Sequence, residues 1–279
     1  MWVPAGAEAA VAAGLLGLLI GSFLNVVIYR LPRMMEREWQ VQCAELRGET
    51  PEPGPAYNLV VPRSACPACG VQITALQNIP VVSWLVLKGR CAGCHAPISG
   101  RYPIVELLGG ALAAAAIWHF GATPQGIAAC GLLWALLALT MIDFDTQLLP
   151  DGITLPLLWA GLIVNLRSTF APLGDAVIGA VAGYLSLWTI YWVFKLIRGK
   201  EGMGYGDFKL LAALGAWLGW QLLPVIVLLS SVVGAAIGMT LIVFKGRDHS
   251  IPMAFGPFLA IAGAIALFFG PALGKTFFP

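Results

Sequence analysis

The sequence predicts an all-α polytopic membrane protein of about eight transmembrane helices, and three observations carry the prediction. Hydrophobic residues make up 59% of the 279 positions and charged residues only 11%, where a soluble domain carries about a quarter charged. Several stretches are long enough to cross a hydrocarbon core, which takes roughly 20 apolar residues or fewer where an end is shielded. A crossing segment must satisfy its backbone internally, which selects helices. A net charge of +2, with basic residues not interleaved with aromatics, gives no electrostatic footprint for nucleic acid.

In chain order, spans are expected near residues 9–29, 104–121, 126–142, 152–166, 174–195, 207–220, 222–244 and 251–270. The first has a long apolar stretch, with no positive charge before it and Arg30 and Arg33 after it. It therefore reads as a retained helix and not a cleaved signal peptide. The span at 207–220 is short and bears glycine, so it is expected to be tilted or sheltered by neighbouring helices. Gly17 and Gly21, Gly179 and Gly183, Gly215 and Gly219, and Gly234 and Gly238 each recur at i, i+4. That spacing brings helix backbones together where lipid offers no hydrophobic drive, so these glycines read as packing.

Positive charge is retained on the cytoplasmic side. With the N-terminus outside, 14 of the 16 Lys and Arg residues collect on one face, and only Arg167 and Lys275 fall opposite. This orientation puts the ends near Asp143 and Asp207, and the loop from Arg30 to Pro103, in the cytoplasm.

That loop, residues 30–103, contains Cys66-Pro67-Ala68-Cys69 and Cys91-Ala92-Gly93-Cys94. Two Cys-x-x-Cys pairs suit a four-thiolate tetrahedral zinc site, because each tight turn brings two sulfurs to one ion. Gly70 and Gly93 are expected to supply the turns. The competing readings are disulfides or a redox dithiol, and a reducing cytoplasm favours metal. Four thiolates leave no position open for water, so the zinc is expected to be structural. His95, beside Cys94, is an alternative ligand that four better donors make unnecessary. Cys43 and Cys130 fall outside the pattern, and Cys130 reads as a small core residue.

In a chain this apolar, acids at membrane depth are costly and point to function. Asp143 lies in Met141-Ile142-Asp143-Phe144-Asp145, and Asp207 ends Gly204-Tyr205-Gly206-Asp207. Asp151, in Leu149-Pro150-Asp151-Gly152 before a span, fits a helix cap, and Asp145 is expected to be solvated. Capping competes for Asp207 too, but its two glycines suggest room for an approaching backbone such as a bound peptide. Two aspartates meeting in a wet pocket share a proton. One then activates water while the other protonates a scissile carbonyl, which is aspartic-protease chemistry.

Taken together, Gly21-Ser22-Phe23-Leu24-Asn25 through Arg30-Leu31-Pro32, the Cys pairs, Asn78-Ile79-Pro80, Arg101-Tyr102-Pro103, the Asp143 segment and Gly202-Met203-Gly204-Tyr205-Gly206-Asp207-Phe208-Lys209 resemble the bacterial type IV prepilin peptidases, of the membrane GxGD aspartic protease class. The resemblance runs from about Gly21 to Leu259. It implies an inner-membrane enzyme that removes the basic leader of type IV prepilins or type II secretion pseudopilins, then methylates the new N-terminal residue using S-adenosylmethionine. By motif matching it implies Asp143 and Asp207 as the catalytic pair and Cys66, Cys69, Cys91 and Cys94 as zinc ligands. In Met253-Ala254-Phe255-Gly256-Pro257, Ala254 stands where many relatives carry proline.

No glycine fingerprint places the methyl donor. Glu106 reads as a helix-start acid, and Ser22 and Asn25 as interhelical hydrogen-bonding groups. The acids Glu36, Glu38, Glu45, Glu49 and Glu52 read as a solvated stretch that could attract a basic leader. The resulting organisation is a first transmembrane helix at 1–29, the cytoplasmic loop with its zinc site at 30–103, and a transmembrane peptidase core at 104–279. The alternatives are a peptidase without methylation, or a transporter using the acids as a proton relay. A relay predicts acids near the bilayer midplane, whereas these cluster towards one interface.

Overall fold

The computed structural model describes residues 5–49, 54–200, 202–245 and 254–277. Glu52, Arg247 and Met253 lie outside the described residues, as do the first residues of the span expected at 251–270. The helices are α1 (Ala5–Leu46), a single turn α2 (Val82–Val86), α3 (Arg101–Phe120), α4 (Pro124–Thr146), α5 (Asp151–Val164), α6 (Leu173–Arg198), α7 (Tyr205–Leu218), α8 (Leu223–Lys245) and α9 (Gly256–Phe277). Among the described residues there is no sheet, only two isolated bridges, Ala65 with Gln72 and Arg90 with Pro97. Each of the eight expected spans falls on a helix. Only five helices, α1, α3, α4, α6 and α8, are long and apolar enough among the described residues to cross a membrane. At 14 residues each, α5 and α7 reach only about 21 Å at 1.5 Å per residue, short of a core of about 30 Å.

The chain divides into two compact units, Met1–Cys130 and Gly131–Pro279. In the first, α1 packs along α3 through glycines. A Cβ on Gly21 would fall 2.7 Å from the Glu106 Cα, and one on Gly109 2.8 Å from the Gly17 carbonyl oxygen. Helix α1 continues past the expected end at residue 29, through Pro32, to Leu46. Residues 33–46 contain no glycine or proline and are rich in Glu, Met, Gln and Arg, which favour helix. Arg30 at the start of this extension is buried and donates to the Asn58 and Pro62 carbonyls at 2.9 and 2.7 Å. Arg37 stacks over the Tyr57 ring at 4.1 Å.

Glu106 does not play the helix-start role expected of it, because no acid lies in the first turn of α3. Its buried carboxylate instead accepts the Val81 backbone N–H at 2.7 Å, and Ser22 hydrogen-bonds it as well. Val81 itself takes φ +61°, a positive value unusual for a β-branched residue. Asn25 donates to the Tyr102 carbonyl at 3.1 Å, the interhelical role expected for it.

The second unit is built around α7. From Asp207 to Leu218 every α7 residue except Lys209 is buried, so the short helix is sheltered by neighbours, as its length requires. Helix α6 approaches it backbone to backbone: a Cβ on Gly183 would fall 2.6 Å from the Leu211 carbonyl oxygen, and Gly179 and Gly215 abut directly. Helix α5 is tied on by side chains. The Trp217 indole donates to the Leu157 carbonyl at 2.8 Å, and the Asn165 amide donates to the Ala216 and Trp217 carbonyls at 2.8 and 2.9 Å. Asn165 also accepts the Phe170 and Ala171 N–H groups. It thus satisfies the carbonyls that end α7 and the turn that follows α5. Leu214 packs against Gly263 of α9.

Because Gly183 has no room for a side chain, Gly183→Val is expected to cost about 1–3 kcal/mol and to lower the melting temperature in detergent. Gly174, with nothing within 4 Å of its Cβ position, is the control: Gly174→Ala is expected to leave the melting temperature unchanged or slightly raised.

Candidate functional site

Two clusters of reactive groups emerge, one in each unit. In the first unit the loop folds its two Cys-x-x-Cys segments into matching knuckles. Cys66 N–H donates to the Val71 carbonyl and Cys91 N–H to the Ala96 carbonyl, both at 2.9 Å; Gly70 N–H returns to Cys66 and His95 N–H to Cys91. The left-handed residue that closes each knuckle is Gly70 (φ +73°) in the first and His95 (φ +57°) in the second. This corrects the role expected of Gly93, which has no positive φ; its N–H instead points at the Cys91 sulfur at 3.4 Å. His95 is thereby explained by backbone geometry and is not among the grouped donors.

All four sulfurs lie within 4.8 Å of one another, with Cys66 to Cys94 at 3.8 Å and Cys69 to Cys91 at 3.9 Å. Tetrahedral zinc with Zn–S bonds of about 2.3 Å would set its sulfurs about 3.8 Å apart, whereas a disulfide needs about 2.05 Å. The donor set and spacing therefore fit zinc, and all four cysteines are unbridged. The backbone N–H groups of Cys94 and then Gly93 lower the Cys91 thiol, which favours the thiolate form that binds metal. Cys130 is buried and its thiol lies 3.8 Å from the Ala113 carbonyl, consistent with a core residue.

In the second unit, Asp143 sits in the last turn of α4 and Asp207 in the first turn of α7. They are 4% and 6% exposed, and near enough to interact electrostatically. Each keeps one buried oxygen with no hydrogen-bond partner, Oδ2 of Asp143 and Oδ1 of Asp207. A buried polar atom left unpaired costs about 1–3 kcal/mol, so two of them on interacting carboxylates call for an explanation. Asp207 is not the N-cap residue of α7, which is Gly204, but its carboxylate accepts the Gly204 backbone N–H, so it ties down the start of the helix from the first turn. Asp145 is exposed, as is Phe144 at 76%.

The residues around the pair differ from expectation in two ways. Gly206 does not leave space for a visiting backbone; a Cβ there would fall 2.6 Å from the Leu149 Cβ. The same leucine reaches Gly256, at 3.1 Å from the position a Cβ would take, and a Cβ on Gly256 would fall 2.6 Å from Asp143 Oδ2. Gly204 is open, with only Asp207 Oδ2 at 3.8 Å. Asp151 also departs from its expected capping role. Pro150 is the N-cap residue of α5 with no side-chain cap bond, and Asp151 instead takes Lys209 Nζ on both oxygens, at 2.6 and 2.7 Å. Sequence reasoning missed Leu149, Gly256 and Lys209 as members of this site, although Lys209 stands inside a segment that carried the resemblance.

The fold and sites define a helical membrane-type protein with a four-thiolate cluster and a buried aspartate pair. Residues 15–120 match the Bacterial Peptidase A24 N-terminal domain and residues 130–239 the Type IV leader peptidase family. A prepilin leader peptidase/N-methyltransferase of Aeromonas salmonicida is 58% identical over 266 residues, covering 94% of this chain and 91% of the relative. Proteins of the same description from Pseudomonas aeruginosa (56% over 264 residues, 94% and 91% covered) and Burkholderia pseudomallei (56% over 272 residues, 96% and 87% covered) are similar. No solved structure matches. The chain belongs to the type IV leader peptidase family.

The thiolate geometry predicts about one zinc per chain by elemental analysis of purified protein. Cys66→Ser combined with Cys91→Ser is expected to abolish it, and acidification, which reprotonates the thiolates, to release it.

Proposed function

We propose that the chain is a bifunctional multi-pass enzyme of the bacterial inner membrane. It removes the leader of type IV prepilins or type II secretion pseudopilins and N-methylates the residue so exposed, with Asp143 and Asp207 as the catalytic pair. The observation that carries the reading is the pair of buried carboxylates, each with an unpartnered oxygen, in a chain whose relatives are described as prepilin leader peptidase/N-methyltransferases.

Two buried carboxylates that interact electrostatically cannot both ionise easily, so one proton is shared between them, and the apparent titration belongs to the pair. The ionised carboxylate takes a proton from water, whose oxygen attacks the scissile carbonyl carbon. The protonated carboxyl gives its proton to the carbonyl oxygen. The tetrahedral intermediate then collapses: the C–N bond breaks, the leaving amine takes a proton, and the leader departs as a carboxylic acid. Burial keeps bulk water from competing for these proton transfers.

The charge distribution of the chain supports a cytoplasmic active face, where a basic leader ahead of an apolar helix would present its cleavage point. Cys66, Cys69, Cys91 and Cys94 would hold zinc as a structural crosslink for a loop of residues 30–103 with little core of its own. For methylation, S-adenosylmethionine would supply an electrophilic methyl group to the free N-terminal amine; no residue is assigned to hold it. The remaining domains in this reading are the first transmembrane helix, residues 1–29, and the peptidase core, residues 104–279. The substrates make lipid and prepilin the chain's partners.

The test is cleavage of a purified prepilin in detergent by wild type, Asp143→Asn and Asp207→Asn, with mass spectrometry reading leader loss and methyl gain together. Wild type is expected to remove the leader and add one methyl group. Each folded variant is expected to lose cleavage by about 10²–10⁴-fold, the span of general acid–base catalysis. Normal cleavage by either variant would remove that residue from the catalytic pair.

A further inference from the structure

The ion pair between Asp151 and Lys209 has no place in the chemistry above, yet it joins the two segments that carry the aspartates. Helix α4 ends three residues after Asp143, at Thr146, and Gln147, at φ +56°, turns the chain into the short connection Gln147–Pro150. Asp151 opens α5 directly after it. Lys209 lies two residues beyond Asp207 on α7 and is the one residue from Asp207 to Leu218 that is not buried. Its ammonium group bridges both Asp151 oxygens, at 2.6 and 2.7 Å.

We propose that Asp151 and Lys209 are a positioning pair: together with Leu149, they clamp the connection that follows Asp143 onto the first turn of α7 and so set the separation of Asp143 and Asp207. The inference rests on the proposed function, in which those two aspartates do the cleaving.

Leu149 and the ion pair act on the same connection in complementary ways. Leu149 fills the space over Gly206, next to Asp207, and reaches Gly256, which lies against the Asp143 carboxylate. It is a spacer that touches both sides of the site. An apolar contact of this kind sets how close the segments come but does little to stop them sliding, because dispersion is non-directional. A two-oxygen grip on one ammonium group is directional and fixes the register. Helix ends are where order is weakest, and both aspartates lie in terminal turns, so each needs such a tie.

The pair is not needed to hold the fold. The Lys209 and Asp151 side chains are 26% and 54% exposed, and exposed ion pairs contribute only about 0–1 kcal/mol. Helix α7 is retained by the buried contacts of its remaining turns. The pair can therefore be removed with the protein still folded, and its effect will be read in the rate. A displacement of about 1 Å at an active site can cost up to about 100-fold.

The experiment measures prepilin cleavage in detergent by full-length wild type, Asp151→Ala, Lys209→Met, the double variant and Lys209→Arg, with melting temperatures for each and Asp143→Asn as reference. Both single variants are expected to melt near wild type and to lose about 10- to 100-fold in kcat at little changed KM. The double variant is expected to lose no more than either single one, since both remove the same contact. Lys209→Arg, which keeps the charge and can bind a carboxylate through two N–H groups, is expected to recover most of the rate.

Wild-type kcat in both single variants would overturn the inference, as would losses that multiply in the double variant, or Lys209→Arg failing as badly as Lys209→Met. Where Asp143→Asn is inactive in the same series, such a result removes the clamp alone. Cleavage by Asp143→Asn would remove the catalytic pair, and the positioning role with it.

Discussion

Burying α7 is the constraint on which the second unit depends. This helix of 14 residues is too short to face lipid along a full crossing, so its backbone ends have to be satisfied by protein. Its last carbonyls, at Ala216 and Trp217, take the Asn165 amide, and Gly219, at φ +81°, turns the chain away. Its first turn carries Asp207, and negative charge is favoured at a helix N-terminus. The helices around α7 are shaped to its presence: α6 lays its glycines against the α7 backbone, α5 hydrogen-bonds its C-terminal end, and α9 packs a glycine on Leu214.

That burial makes an otherwise unfavourable arrangement persist. Two carboxylates with unpartnered buried oxygens are destabilising in themselves, and they hold their positions because the surrounding packing does not let either turn stretch out to water. Glycine has a different function at each end of the site. Gly206 and Gly256 admit Leu149, while Gly204 leaves the Asp207 side open. Ala254 is half-buried two residues before Gly256.

The thiolate cluster obeys a more local logic. Each knuckle closes through hydrogen bonds within about six residues, so its geometry is encoded by a short stretch of chain. The second knuckle shows how far such encoding tolerates variation, since His95 takes the left-handed position that glycine fills in the first. Equivalent backbone bonds at Cys66 and Cys91 place the four sulfurs at tetrahedral spacing without help from a hydrophobic core.

What the sequence determined by itself follows from local chemistry and solvent: helices from apolar runs, packing from glycines at i, i+4, thiolate grouping from Cys-x-x-Cys, and the prominence of Asp143 and Asp207 from the cost of charge among apolar residues. The tertiary structure alone decided which neighbours those groups meet. Asp151 looked like a cap because Pro150 and a helix start stand beside it, but its partner Lys209 is 58 positions away in the chain. Glu106 likewise bonds Val81, 25 positions away, and Leu149 looked unremarkable until folding set it between Gly206 and Gly256. Local pattern reports a residue's own preferences, whereas an ion pair or a wedge is a property of two distant segments and exists only once packing has brought them together.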